Sequence, residues 1–204
     1  YAKTQPLDEY REQRRGGQGK AAAAVKEEDL IQNLYVLSSH MQILCFTTKG
    51  KVFWLKVYEI PVASRTSKGR PLVNMLNLDD DESVSDILPV AEFSDNQFIF
   101  MATKKGTTKK TSLSLFAKKY KSGIKAINLD DDDKLIGTAI TSGDDEILLA
   151  ASSGKLIRFN ESHVRAMGRT ARGVRGIRLK KDEKLISLMV GDPLKTILCV
   201  SENG

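Results

Sequence analysis

The sequence predicts an all-β fold, a propeller-like disc of four-stranded antiparallel blades. Three observations predict it. A short apolar run followed by a polar turn ending in glycine recurs as ILCFTTKG (closing at Gly50), FIFMATKKG (Gly106), ILLAASSG (Gly154) and ILCVSENG (Gly204), at intervals of 56, 48 and 50 residues. An independent marker, an apolar residue leading into a charged turn, places Leu78, Leu129 and Leu179 at intervals of 51 and 50, with Val25 standing 53 before Leu78. Finally, the apolar runs are short, rich in Ile, Val, Leu and Phe, and bounded by Gly, Ser, Asp and Lys, which is the pattern of antiparallel strands. Four such strands in a period of about 40 to 50 residues make a propeller-type blade.

The repeats run over residues 1–40, 41–95, 96–143 and 144–192, with 193–204 starting a further blade, so about four blades are expected in a single domain. In the second repeat the expected strands are 42–47, 51–57, 72–78 and 84–90. Residues 20–37 are rich in Ala and Glu and favour helix on propensity. The repeat phase aligns Ala23–Val25 with Ile127–Leu129, and tertiary context overrides propensity there. Cys45 and Cys199 occupy equivalent places in their repeats and are expected as buried strand residues, with Trp54 packed just inside a strand.

Composition bounds the chemistry. The chain has 204 residues, 41% hydrophobic, enough for a sizeable core, and no run approaches the roughly 20 apolar residues that span a bilayer. The start has neither a signal-peptide layout nor an initiator Met, so the sequence reads as an internal piece of a cytosolic protein. Two cysteines 154 residues apart and two histidines suggest neither a disulfide framework nor a zinc site. His40 and His163 have no nucleophile motif to serve, and no catalytic residue is assigned. The sequon at Asn160 is expected to be idle in a reducing compartment. The Asp runs at 79–81 and 130–133 lack the spaced ligands of a calcium loop and fall at one phase of the repeat, so they are expected as solvated turns rather than metal sites.

The net charge is +6, and the signs are segregated. Base collects at Arg65, Lys68 and Arg70; at Lys104, Lys105, Lys109 and Lys110; at Lys155 and Arg158; and at Arg169, Arg172, Arg175 and Arg178. Duplex DNA carries a charge every 1.7 Å or so, and basic clusters repeating around a disc would neutralise phosphates at regular steps without reading bases.

One stretch breaks the repeat. QRRGGQG, comprising Gln13, Arg14, Arg15, Gly16, Gly17, Gln18 and Gly19 and followed by Lys20, occurs once. Its glycines permit tight turns and close backbone approach, and its arginines suit phosphate. It resembles the box Q-[RK]-R-G-G-[RK]-G of the C-terminal, DNA-wrapping domain of DNA gyrase A at six of seven positions, departing at Gln18. The stretches GRPLVNML, FMATKKGTTKKT, SSGKLIRF and VRAMGRTARGVRGIRL are also similar to that family, and the resemblance covers essentially the whole chain.

The resemblance implies a β-pinwheel, in which neighbouring blades exchange strands, with duplex DNA wrapped around a basic rim; the segregation of charge would then put the Asp runs on a face turned away from the DNA. It further implies a parent enzyme, the ATP-driven type II topoisomerase that introduces negative supercoils, acting in the bacterial cytoplasm on the nucleoid. The partners implied are duplex DNA, the rest of gyrase A and the gyrase B protein in a heterotetramer. ATP and Mg would be bound elsewhere in that holoenzyme, and no cofactor is expected here. The related domain of topoisomerase IV is the nearer alternative, but its box is degraded. A protein-docking propeller would leave the basic clusters unexplained.

Overall fold

The computed structural model describes residues 1–10, 15–16 and 31–200. Of the glycine-rich box, Gln13, Arg14, Gly17, Gln18 and Gly19 lie outside the described residues, as do Lys20 and Ala23–Val25. The described part of 20–37, residues 31–37, is neither helix nor strand.

Among the described residues eleven strands form three sheets. The first blade holds β1 (Gln42–Thr47), β2 (Lys51–Lys56) and β3 (Val84–Val90); the second holds β4 (Phe98–Thr103), β5 (Thr107–Ser112) and β7 (Leu135–Thr141). The third holds β8 (Glu146–Ala151), β9 (Leu156–Asn160) and β11 (Leu185–Val190). Two short strands, β6 (Ile124–Lys125) and β10 (Val174–Arg175), cross over. β6 follows β5 in the chain yet pairs with β2 of the preceding blade, giving the order β3-β1-β2-β6, and β10 pairs with β5 in the order β10-β5-β4-β7. All these strand pairs are antiparallel.

The recurring glycine closes the hairpin tips and also makes room for the exchanged strand. Gly106 has φ +84°, and a Cβ there would stand 2.9 Å from both Ile177 Cγ2 and the Ile177 carbonyl oxygen. The Gly106 carbonyl accepts the N–H groups of Gly176 (2.8 Å) and Ile177 (3.2 Å), just after β10. The Gly50 carbonyl does the same for Ala126 and Ile127 after β6.

The expected strand 72–78 is corrected. Its counterparts run straight from β6 and β10 into the charged turn, Leu129 following Gly123 by six positions and Leu179 following Gly173 by six, whereas Leu78 follows Gly69 by nine. The extra residues form a 3-10 turn at Leu72–Asn74. Pairing shrinks to a single bridge, Ala2 with Arg70, because Pro71 follows and has no N–H to donate. The strand expected over 51–57 ends at Lys56, where a 3-10 turn takes over.

Packing follows from strand alternation. Leu44 and Phe46 of β1 meet Ile99 and Met101 of β4 between the first two blades, with Leu113, Phe116 and Ile127 completing that core. The other face of β4, Phe100 and Ala102, meets Ile147, Leu149 and Ala151 of β8. Ile43, Cys45, Phe53 and Leu55 face away from the second blade and pack with Leu76. Trp54 packs partly buried on the first of these cores and donates from Nε1 to the Phe116 carbonyl at 2.9 Å. β3 is tied to β7 by the Asp86 carboxylate, which accepts from the Thr138 N–H (2.8 Å) and hydroxyl (3.0 Å), and β7 lies against β11. β3, β7 and β11 each stand at the edge of their sheet where the blades meet, and the exchanged strands β6 and β10 stand at the opposite, outer edge of theirs.

Cys45 is buried as expected, and burial pushes its thiol up to about 12. Cys199 is corrected: it is exposed, on a segment that pairs with no described strand.

Candidate nucleic-acid interface

The outer edge is built by one loop per blade. After β2, β5 and β9 the chain makes a 3-10 turn (Val57–Glu59, Leu113–Phe116, Glu161–His163) and then a connection ending at a left-handed glycine: Gly69 (φ +84°), Gly123 (φ +67°) and Gly173 (φ +104°). Gly173 cannot be another residue without rearrangement, since a Cβ would fall 2.4 Å from the Thr108 carbonyl oxygen. Each connection delivers the segment that crosses over, Arg70 to Ala2, β6 to β2 and β10 to β5.

These exchange loops carry base and no acid. Residues 61–77, 117–129 and 164–181 contain no Asp or Glu. The first presents Lys68 and Arg70, exposed, and Arg65, half-buried; the third presents Arg172, Arg175 and Arg178, exposed, and Arg169, half-buried. Sequence reasoning missed the second loop, which exposes Lys118, Lys119, Lys121 and Lys125, and missed Arg165 in the third. The signal was available: aligning the three loops on Gly69, Gly123 and Gly173 brings Arg65, Lys119 and Arg169 to one position, four residues earlier. Aromatic rings brace the bases, with Lys68 over Tyr1 at 4.3 Å and Lys118 over Tyr120 at 5.4 Å. Tyr120 in turn lies 6.2 Å from Trp54. Arg172 reaches across to Asp130 at 3.0 Å.

The hairpin tips differ. There the acidic turn of each repeat folds back onto the tip lysines: Lys49 onto Asp81, Lys51 onto Asp79 (2.9 Å), Lys105 onto Asp132, and Lys155 onto Glu183 (3.3 Å). The hydrogen bond between them raises the Lys105 ammonium and lowers the Asp132 carboxyl from their ordinary values. Arg158 pairs with Glu146 on the neighbouring strand at 2.8 Å. The Asp runs are turns at this end, exposed except for the half-buried Asp133, and Lys104 beside them is half-exposed. Glu82 is buried among the Thr47 hydroxyl, the Asp79 N–H (3.2 Å) and Lys51 (3.5 Å).

Lys109 and Lys110 were expected on the rim and are corrected to the interior, 0% and 6% exposed. They lie on β5, whose two faces are covered by the blades on either side, so a strand that reads as polar has no solvent face. Lys110 donates to the Glu161 carbonyl at 3.1 Å, with the buried Glu161 carboxylate at 3.6 Å. Lys109 donates to the carbonyls of Ala126 (2.6 Å) and Arg169, and burial, aided by the Arg169 charge, pushes its ammonium down to about 8. Of the box, Arg15 and Gly16 are described as an exposed turn, Gly16 at φ +91°. Among the described residues no group of His, Cys, Asp and Glu is arranged to hold a metal ion, and no helix is long and apolar enough to cross a membrane.

Fold and edge together define a strand-exchanging, propeller-like β-disc with a periodic basic margin. The sequence profile of the family described as DNA gyrase C-terminal domain, beta-propeller, matches residues 1–38, 42–91, 97–142 and 145–192, and the chain belongs to that family. It is 51% identical over 204 residues to the DNA gyrase A protein of Salmonella typhimurium (strain LT2), a match covering 100% of this chain and 23% of that protein. The chain thus spans about a quarter of the length of the curated relatives it matches. Among solved structures it is similar to the C-terminal domain of DNA topoisomerase IV (TM-score 0.76, 28% identity, 84% of this chain and 53% of that one). A DNA gyrase A C-terminal domain shares the fold at TM-score 0.67 and 23% identity, over 90% of this chain and 59% of that one.

Proposed function

We propose that the chain binds duplex DNA without reading its sequence and bends it around the outer edges of its blades. The observation that carries this is the recurrence of three acid-free basic loops, each on the same edge of its blade. Arginine and lysine at one phase of a repeat meet phosphates at regular steps along a curved path. Bending 20 to 30 bp by 40 to 90° costs roughly 1 to 6 kcal/mol, so contacts from several blades are needed to hold the curve. The acidic turns at the tips repel DNA from that end and keep it on one track. Arg14 and Arg15 of the box would fasten the point where the path closes.

Within a complete gyrase, such wrapping would present a crossing of fixed hand to the strand-passing core, making ATP-driven passage directional toward negative supercoils. Gyrase B and the rest of gyrase A would supply the ATP, Mg and cleavage chemistry in the bacterial cytoplasm, on the nucleoid. The 51% identity to a gyrase A protein over the whole chain favours this over a topoisomerase IV role.

The test is a titration of the chain with random duplex across salt, together with plasmid relaxation in its presence. The expected log K falls linearly with log salt, by about 0.9 per phosphate contacted, and loses several orders of magnitude between roughly 50 and 200 mM. Relaxed plasmid should carry a shifted topoisomer distribution. A flat salt dependence overturns DNA binding, and an unshifted distribution overturns wrapping.

A further inference from the structure

We propose that Lys3 and Lys109 are positioning residues of the DNA interface, each holding through main-chain carbonyls the loop that offers an arginine to phosphate. This rests on the DNA-binding reading above. The two lysines occupy one structural position relative to their exchange loops. In the second blade Thr108 pairs with Val174, the first residue of the exchanged strand, and Lys109 follows; beside the first blade Ala2 pairs with Arg70, and Lys3 follows. The ammonium of Lys3 donates to the carbonyls of Ser64 (3.0 Å), Arg65 (2.9 Å) and Ser67 (2.9 Å). That of Lys109 donates to the carbonyls of Arg169 and Ala126 (2.6 Å). Arg65 and Arg169 are themselves equivalent, each four residues before the left-handed glycine of its loop.

Packing does not require a lysine at this position. Val52 pairs with Ile124 as Thr108 pairs with Val174, so Phe53 is the counterpart of Lys109 in the first blade, and the shared hairpin register makes Ile157 the counterpart in the third. Phe53 supports the second loop by its ring, against which a Cβ on Gly123 would stand at 2.7 Å. An apolar side chain therefore fits, and burying an ammonium there costs folding free energy. An ammonium carries three donors and no acceptor, so it gathers carbonyls and nothing else. The charged group acting on Lys109 is Arg169, of the same sign. Two cations held together are relieved when an anion arrives, and the third loop's Arg169 carbonyl is turned inward while the Arg169 residue stays half-exposed and Arg172, Arg175 and Arg178 exposed.

The experiment is a double-mutant cycle on the chain, with Lys109→Met, Arg169→Ala and both together, titrated with a short random duplex across salt. Each single change should weaken binding by about tenfold and reduce the salt slope by about one phosphate, and the double variant should lose little more than either, as for residues acting through one contact. Lys109→Arg, which keeps the charge and the donors, should recover most of the loss. Where Lys109→Met does not melt cooperatively, the cycle of Lys3→Met with Arg65→Ala decides, since Lys3 lies outside the blade strands. A parent chain that binds while the methionine variant binds equally well, or while the two losses add, overturns the inference alone. A parent chain that fails to bind duplex overturns the proposed function and this inference with it.

Discussion

Hairpin tips and exchange loops are both rich in lysine and arginine, yet they present different fields. At the tips the acidic turn of the same repeat lies against each cluster, and Lys49, Lys51, Lys105 and Lys155 end on carboxylates. In the loops no acid lies within the basic stretches, and Arg172 must reach out of its own loop to meet the carboxylate of Asp130. A charge paired at short range contributes little potential beyond a Debye length of about 8 to 10 Å, while like charges gathered at one edge add. The lesson is that a net charge of +6 says less than the place where the acids fold.

The largest effect should come from breaking this contrast directly. Replacing Arg169, Arg172, Arg175 and Arg178 with Ala should lower duplex affinity by two orders of magnitude or more at about 100 mM salt and flatten the salt slope by up to about 3.6, at about 0.9 per contact. Replacing Lys49, Lys105 and Lys155 with Ala should change affinity by less than about threefold, because an exposed lysine already paired with a carboxylate gains little from a phosphate. Equal losses in parallel mobility-shift titrations would erase the distinction between the two regions.

A smaller effect compares tips with one another. Gly106→Ala meets both a positive φ and the Ile177 backbone, whereas a Cβ on Gly154 (φ +78°) has nothing within 4 Å. Denaturant unfolding should show a loss of about 3 kcal/mol or more for Gly106→Ala, from strain plus forced displacement of the exchanged strand. Gly154→Ala should cost about 1 to 2 kcal/mol, the left-handed backbone alone. Equal losses would mean that the exchanged strand does not bear on the tip.

The smallest effect concerns the lysine between the two regions. Lys109 sits at about 8 in the fold against 10.5 for an ordinary lysine. Below pH 8 both states hold the proton and the fold carries the full burial cost; between 8 and 10.5 the unfolded chain binds more protons, so stability rises with pH. Thermal melts at about pH 7.5 and about pH 9.5 should show the parent gaining on Lys109→Met across that window. Parallel shifts in both proteins would show that Lys109 keeps its ordinary value.

Much of the disc was legible in the chain. Strands β1 and β3 fall on the residues that the apolar runs mark, and the tip glycines fall where the repeat places them, because both depend on neighbours in sequence. Strand exchange was not legible from the residues: β6 is two residues long and pairs with a strand some seventy residues earlier, so it has no period of its own. It entered only through the family resemblance. In the candidate interface, Arg65, Lys68, Arg70 and the third-loop arginines were readable as clusters. Lys118, Lys119 and Lys121 were passed over because FAKKYKSG follows an apolar turn and carries no arginine to mark it.

By itself, then, the sequence determined the period, the hairpins and the segregation of charge, since each is set by residues within a few positions of one another. Only the tertiary structure decided which bases face solvent. TKKGTTKK is uniformly polar, yet stacking the second blade between its neighbours leaves Lys105 at the surface against Asp132 and closes both faces of β5 over Lys109 and Lys110. The physical reason is that burial on a central strand is imposed from both sides by other blades, and a buried ammonium can be satisfied by carbonyls that leave no trace in the sequence.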